Sequence, residues 1–140
     1  MFTALVVFLP GNVILYSYVN CDALAMCSTA IIFYSWVKAY KEGWNWTTCA
    51  VSAIGMGLCF LSYYNAYGFI LTTFFFFVGT MLTDQEKAPK ERWKEMIQKG
   101  LFILVIVCVI ALWWFIRNAI LYHGDFLGRE TSSACAELYA

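Results

Sequence analysis

Residues 100–128 read GLFILVIVCVIALWWFIRNAILYHGDFLG, and no charged residue occurs between positions 100 and 116. As an α-helix this apolar run is roughly 25 Å long, so it can cross a bilayer when its flanking residues reach the two interfaces. Trp113 and Trp114 stand where an interfacial aromatic belt is expected. Charge returns at Arg117, so the stretch predicts a membrane helix that ends in a polar cluster at one membrane face.

The composition of the whole chain is typical of a membrane protein. Of its 140 residues, 62 % are apolar and only 13 % are charged, whereas a soluble domain of this size needs more charged surface. The formal net charge is 0, but the basic residues concentrate in two segments, 38–45 and 84–99. Since such segments mark the cytoplasmic side, we expect both inside and residues 20–22, 63–67 and 117–140 outside.

The apolar segments predict an all-α fold, a polytopic transmembrane helix bundle with about four full spans and a Pro-broken N-terminal apolar segment. The predicted parts are the spans 23–40, 47–62, 67–83 and 99–117, the N-terminal segment 2–18 and the external tail 118–140. Pro10 and Gly11 interrupt the N-terminal segment, so we expect residues 11–19 to be partly irregular or interfacial. A signal peptide is the alternative interpretation, but the segment lacks a basic start.

The connections between the spans carry their own signals. The sequence Gly43-Trp44-Asn45 predicts a turn, after which Asn45 or Thr47 can cap the next helix. Pro89 can open a short amphipathic helix over residues 90–98 that lies at the interface as a connector. A solvated hydrophilic loop is the alternative for the same residues.

A stripe of small residues recurs every four positions in the second span. Cys49, Ala53 and Gly57 permit close contact between helices, and we expect Gly55 to widen that face. The chain has six cysteines but no CxxC spacing, and its single His cannot complete a zinc set, so the sequence predicts neither a metal nor a cofactor. Most of the cysteines lie in apolar runs, where Cys behaves as a small hydrophobe.

The candidate ligand-binding residues all map to the predicted outer face. They are Asn20, Asp22, Arg117, Asn118, His123 and Asp125. Arg117 is the natural phosphate ligand because its guanidinium fork matches phosphate oxygens, and His123 or Asp125 can transfer protons. The alternative is structural: Asp22 caps a helix, Arg117 extends its charge to the interface, and residues 123–125 form a turn.

Several functional classes find no support in the sequence. No Walker loop, HExxH or GxSxG motif occurs, so no catalytic residue is assigned. No charge lies in the middle of a predicted span, which disfavours a proton relay or ion path. The basic residues are too few and too confined to loops for nucleic-acid recognition.

Three stretches carry a resemblance to a known family. Residues 9–42, LPGNVILYSYVNCDALAMCSTAIIFYSWVKAYKE, resemble the region of C-type (GT-C) membrane glycosyltransferases where Pro ends one helix and Asn-x-Asp opens the next. Residues 57–77, GLCFLSYYNAYGFILTTFFFF, are similar to the tight outer hairpin that follows in that superfamily. Residues 113–128, WWFIRNAILYHGDFLG, resemble an external stretch of large bacterial membrane proteins of this fold.

The resemblance implies a polyprenyl-phosphate sugar, or another anionic lipid, as ligand at the outer face of a bacterial cytoplasmic membrane. Such enzymes carry their usual catalytic acidic residue in a first external loop, which has no counterpart here. We therefore expect an internal fragment of a larger protein that is not catalytically competent alone, with the bilayer and the rest of the parent protein as partners. The alternatives are a small non-enzymatic subunit that packs against partner helices through the Cys49/Ala53/Gly57 stripe, and a transport-permease fragment.

Overall fold

The computed structural model describes residues 8, 10–17, 21–62, 66–83, 89–121, 133 and 137. These residues form five α-helices and no strand. The helices are α1 (Pro10–Ser17), α2 (Cys21–Glu42), α3 (Trp46–Ser62), α4 (Tyr67–Thr83) and α5 (Pro89–Leu121). The prediction of an all-α fold is confirmed, and a helix covers each of the four ranges in which a span was predicted.

Two local predictions are wrong in part. The sequence predicts that residues 11–19 are partly irregular or interfacial; α1 is a regular helix from Pro10 to Ser17, so the irregular alternative is wrong for residues 11–17, and the interfacial alternative stays a prediction. Proline is well suited to the first position of a helix because its φ is already helical and its missing N–H would have no partner there. The prediction that Pro89 opens a helix is confirmed, but residues 90–98 are neither a short connector helix nor a loop, because they continue without interruption into the apolar run as part of α5.

The continuity of α5 follows from its composition. Residues 90–99 are mostly good helix formers, and the single Gly100 costs only about 1 kcal/mol relative to Ala, which its neighbours can offset. The 33 residues of α5 make a helix roughly 50 Å long. This length exceeds the hydrocarbon thickness of a bilayer by about 20 Å.

The predicted turn between α2 and α3 is confirmed. Gly43 has a φ of 75°, the left-handed conformation that favours glycine. Its N–H donates to the carbonyl of Ala39 at 2.9 Å and so closes the end of α2. The side chain of Asn45 donates to the carbonyl of Glu42 at 3.1 Å, while its own carbonyl accepts from the N–H of Cys49 in the first turn of α3.

Helix α3 lies between α2 and α5. A Cβ added at Gly55 would lie 3.0 Å from Cγ1 of Ile32 in α2, and one added at Gly57 would lie 2.9 Å from Cβ of Ile110 in α5. Residues two positions apart in an α-helix point about 200° apart around its axis. Ile32 and Ile110 therefore lie on opposite faces of α3. Gly55 therefore does not widen the stripe that contains Gly57; it serves a second interface.

The helix directions alternate along the chain. The turn at Gly43 makes α3 antiparallel to α2. Ring contacts of Trp46 with Phe102 at 5.1 Å and of Phe60 with Phe115 at 6.4 Å make α5 parallel to α3. We call the end that holds the start of α2 and the last residues of α5 the outer end, following the charge-based orientation, and the opposite end the inner end.

The α2–α3 seam is built from small and polar residues at alternating spacings of four and three. All of its members are buried: Ser28, Ile32, Ser35 and Ala39 of α2, and Thr48, Ser52, Gly55 and Cys59 of α3. Cys59 lies within hydrogen-bonding reach of Ser28, and Gly55 faces Ile32. Small side chains bring two helix backbones close together, as at interfaces between membrane helices.

The burial pattern is unusual for a soluble protein. The largest fully buried side chains are Ile32 and seven small or polar ones: Ser28, Ser35, Thr48, Cys49, Ser52, Cys59 and Thr73. Trp44, Phe77 and Ile103 are also buried, but many large apolar side chains are exposed, with Phe75 at 63 % and Val109 at 72 %. Among the described residues, α2 and α5 are long and apolar enough to cross a membrane, and only 22 % of the most apolar window of each is buried. Helices α3 and α4, of 17 residues each, are shorter apolar helices.

Candidate functional site

Three of the six candidate ligand-binding residues fall in the described part of the chain, all at the outer end. Asp22 lies in the first turn of α2 and is partly buried. Arg117 is exposed and Asn118 is partly buried, both in the last turns of α5. The other candidates, Asn20, His123 and Asp125, lie outside the described residues.

The structure places Asp22 and Arg117 at the same end but on different sides of α3. Helices α2 and α5 each pack extensively on α3, and they share no comparable interface with each other in the described ranges. Two helices that flank a third are separated by about twice the usual interaxial distance of 8–10 Å. A pocket framed jointly by Asp22 and Arg117 therefore has to include residues of the intervening elements.

The guanidinium of Arg117 is positioned by the aromatic end of α5. Its Cζ atom lies 5.2 Å from the ring centroid of Trp114, a cation–π contact. Trp114 in turn meets Trp113 edge to face at 5.7 Å. Because no carboxylate of the described chain pairs with Arg117, its N–H groups remain available to an anion such as a phosphate.

The Cys49/Ala53/Gly57 stripe is buried inside the bundle. Cys49 and Ala53 are inaccessible to solvent, and Gly57 lies against Ile110 of α5. The residues therefore mediate helix packing within this chain. Ile110 of α5 lies against Gly57 on that face of α3, and docking of a partner protein on the stripe stays a prediction.

Sequence reasoning missed two side-chain hydrogen bonds that attach α4 to the rest of the bundle. The indole N–H of Trp36 donates to Oγ1 of Thr73 at 3.1 Å, and that of Trp44 donates to Oγ1 of Thr80 at 2.8 Å. Each threonine hydroxyl then donates to a carbonyl one turn earlier in α4. The sequence signal is a similar spacing in the two pairs: the tryptophans are eight positions apart and the threonines seven.

A second missed cluster lies at the inner end. Lys99 of α5 is 8 % exposed and forms an ion pair with Glu95, one turn away. Lys99 and Glu95 both interact electrostatically with Cys49 of α3, so the ion pair lies beside the start of that helix. Arg92 donates to the carbonyl of Leu82 at 2.9 Å and so caps the end of α4. The sequence places these residues together in a polar segment, but nothing in their spacing distinguishes a packed face from a solvated one.

Two buried hydroxyls of the α2–α3 seam have no hydrogen-bond partner in the described part of the molecule. They are Oγ1 of Thr48 and Oγ of Ser52, one turn apart on α3. Within the described ranges no group of three or more His, Cys, Asp or Glu side chains is arranged to hold a metal ion. No family model, curated protein or solved structure matches the chain.

Proposed function

We propose that the chain is a four-span integral membrane bundle that acts as a structural module, with α2, α3, α4 and α5 each crossing the bilayer. The observation that carries this proposal is the burial pattern: small and polar residues fill the α2–α3 seam, while many large apolar side chains, Phe75 and Val109 among them, are exposed. In water such a surface would promote aggregation, whereas lipid tails cover it at no cost.

The two shorter helices are compatible with this arrangement. Seventeen residues give a helix of roughly 26 Å, at the lower limit for a span. Helices α2 and α5 cover two faces of α3, so lipid has to cover only the remaining surface, which includes Ile54 at 43 % exposed. Further helices of a parent protein or of a partner subunit would pack on the exposed apolar residues of α4 or α5, because the small-residue faces of α3 are already occupied.

Membrane integration is tested by expressing the full chain and treating the isolated membranes with alkaline carbonate. An integral bundle stays in the pellet after carbonate and is released only by detergent. A peripheral control protein is released by carbonate alone. Recovery of this chain in the carbonate supernatant would contradict the proposal.

A second candidate function, binding of an anionic lipid-linked ligand at the outer end, is favoured by the exposed Arg117 held on Trp114. The predicted ligand class includes polyprenyl-phosphate sugars, and glycosyltransferase-like chemistry stays a prediction. Arg117→Lys preserves the charge but loses the bidentate geometry, so we expect partial loss of lipid-phosphate binding, and Arg117→Ala should lose more. Equal binding by wild type and both variants would leave Arg117 as an interface anchor. If the parent protein transfers sugar, transfer should follow the same order.

A further inference from the structure

The start of α5 extends beyond the first residue of α3 at the inner end and runs beside the last residues of α4, where Arg92 bonds to Leu82. Trp46, the first residue of α3, is level with Phe102, and Phe77 of α4 faces Gly100. Residues 100–121 account for roughly 33 Å of helix, which matches the hydrocarbon thickness of a bilayer. The preceding 11 residues of α5 add roughly 16 Å, more than the depth of one headgroup layer.

This extension carries a net positive charge. It contains four basic and two acidic side chains: Lys90, Arg92, Lys94 and Lys99 against Glu91 and Glu95. Lys99 is paired with Glu95, and Arg92 is bound to a carbonyl of α4. No carboxylate of the described residues lies within ion-pair distance of Lys90 or Lys94, and both lysines are exposed.

Large apolar side chains stand among these charges. Trp93 is 54 % exposed and Ile97 is 61 % exposed. Ile97 lies about 5 Å past Gly100 along the helix, and Trp93 and Lys94 about 10 Å past it. These depths correspond to the headgroup layer, where Trp is favoured and where a Lys stem can cover apolar surface while its ammonium meets a phosphate.

The same face continues into the apolar part of α5. Lys94 and Leu101 are two helical turns apart, as are Ile97 and Leu104, and both leucines are exposed. A lipid whose acyl chains cover Leu101 and Leu104 therefore places its headgroup beside Lys94. This continuity favours a phospholipid over a soluble anion or a protein partner.

We propose that Lys90, Trp93, Lys94 and Ile97 form an inner basic surface that binds anionic phospholipid headgroups. Lys94 contacts the phosphate, Lys90 adds attraction within a Debye length, and Trp93 and Ile97 insert among the headgroups. The inference rests on the proposed membrane embedding, and it adds a lipid class and a location.

The test measures lipid retention by the purified full chain in detergent, using native mass spectrometry. The probes are phosphatidylglycerol and phosphatidylcholine with identical acyl chains. We expect wild type to prefer phosphatidylglycerol, Lys94→Gln to weaken that preference roughly fivefold, and Lys90→Gln/Lys94→Gln to weaken it further. High salt should reduce the preference as well, since it screens exposed charges.

Lys38→Gln is the matched control. It removes the same charge at the same end, but Lys38 is half-buried and lies 4.0 Å from Glu42, so the preference should change less than twofold. Equal retention of the two lipids by wild type, or an unchanged preference in the double variant, would overturn the inference. The proposed function fails by a different result, release by carbonate, so the two outcomes are distinguishable.

Discussion

The packing of α2, α3 and α5 on one another differs from the packing of α4 on α2. Helix α3 approaches α2 and α5 most closely at small residues, where a Cβ added at Gly55 or Gly57 would lie 3.0 or 2.9 Å from a neighbouring isoleucine. Two ring contacts near its ends also join α3 to α5. Helix α4 meets α2 through large rings, with Phe33 and Phe69 5.7 Å apart and Trp36 and Phe76 also 5.7 Å apart. Its only glycines, Gly68 and Gly79, have nothing within 4 Å of an added Cβ.

This difference separates two ways of packing a membrane helix. Small residues gain dispersion contacts by close backbone approach, so any added volume forces the backbones apart. Aromatic side chains keep the backbones farther apart and depend on ring contacts and on the Trp–Thr hydrogen bonds for their specificity. We therefore expect the α2–α3–α5 unit to be sensitive to added volume and α4 to be sensitive to loss of polar partners.

The largest expected effect is that of Gly57→Leu. An added Cβ would lie 2.9 Å from Cβ of Ile110, which a change of rotamer does not move away, so α3 and α5 must separate, at a cost of about 3 kcal/mol. The measurement is the free energy of unfolding in a detergent titration. Gly79→Leu, the same change on the open face of α4, should cost less than about 1 kcal/mol.

The clash with Ile110 can be checked by compensation. The double variant Gly57→Leu/Ile110→Ala should recover part of the stability that Gly57→Leu loses. The alanine removes the Ile110 side-chain atoms beyond Cβ with which the leucine at position 57 would clash. An unchanged free energy of unfolding in Gly57→Leu would mean that the stripe faces lipid, contrary to the structure.

A smaller effect is expected from Thr73→Val in α4. The change keeps the shape of the side chain but removes the acceptor of the Trp36 indole, at a cost of about 1 kcal/mol. Thr72→Val is the control, since Thr72 is exposed and bonds only to Gly68 in its own helix. Equal losses in the two variants would show that the Trp36 bond does not hold α4.

The smallest effect is expected from Ser52→Ala in the α2–α3 seam. Its hydroxyl is buried without a partner, so removing it should leave stability unchanged or raise it by up to about 1 kcal/mol. Ser35→Ala, by comparison, removes a 2.7 Å bond to the carbonyl of Ile32 and should destabilise slightly. A clear loss of stability in Ser52→Ala would mean that the hydroxyl of Ser52 has a hydrogen-bond partner in the folded protein.

Hydrophobic pattern and turn chemistry predicted the helical segments well. Runs of apolar residues gave the four ranges, and Gly43 and Asn45 gave the turn. The pattern failed at Gly100, where one glycine among strong helix formers did not end the helix. It also failed after Pro10, because residues 11–17 belong to a regular helix that begins at this proline.

The contacts between helices were less predictable. Spacing alone identified the stripe of Cys49, Ala53 and Gly57, but not that a second stripe through Gly55 faces the opposite way, because that depends on which helices flank α3. The Trp–Thr bonds pair residues 36 or 37 positions apart. In the sequence, the Lys99–Glu95 pair has the same i,i+4 spacing as an exposed pair on a helix surface. Its burial depends on the packing of α5 on α3, which the spacing does not show.

The measurement that tests the four-span bundle most directly is labelling of single cysteines in intact cells, in a cysteine-free background, with a membrane-impermeant maleimide. Positions 41, 64, 90 and 125 are the probes, and permeabilised cells provide the control in which all four should react. Four spans predict labelling from outside at positions 64 and 125 and protection at positions 41 and 90. Position 64 is decisive, because it lies between α3 and α4. If it is protected while 125 reacts, only α2 and α5 cross the membrane and the four-span account is contradicted.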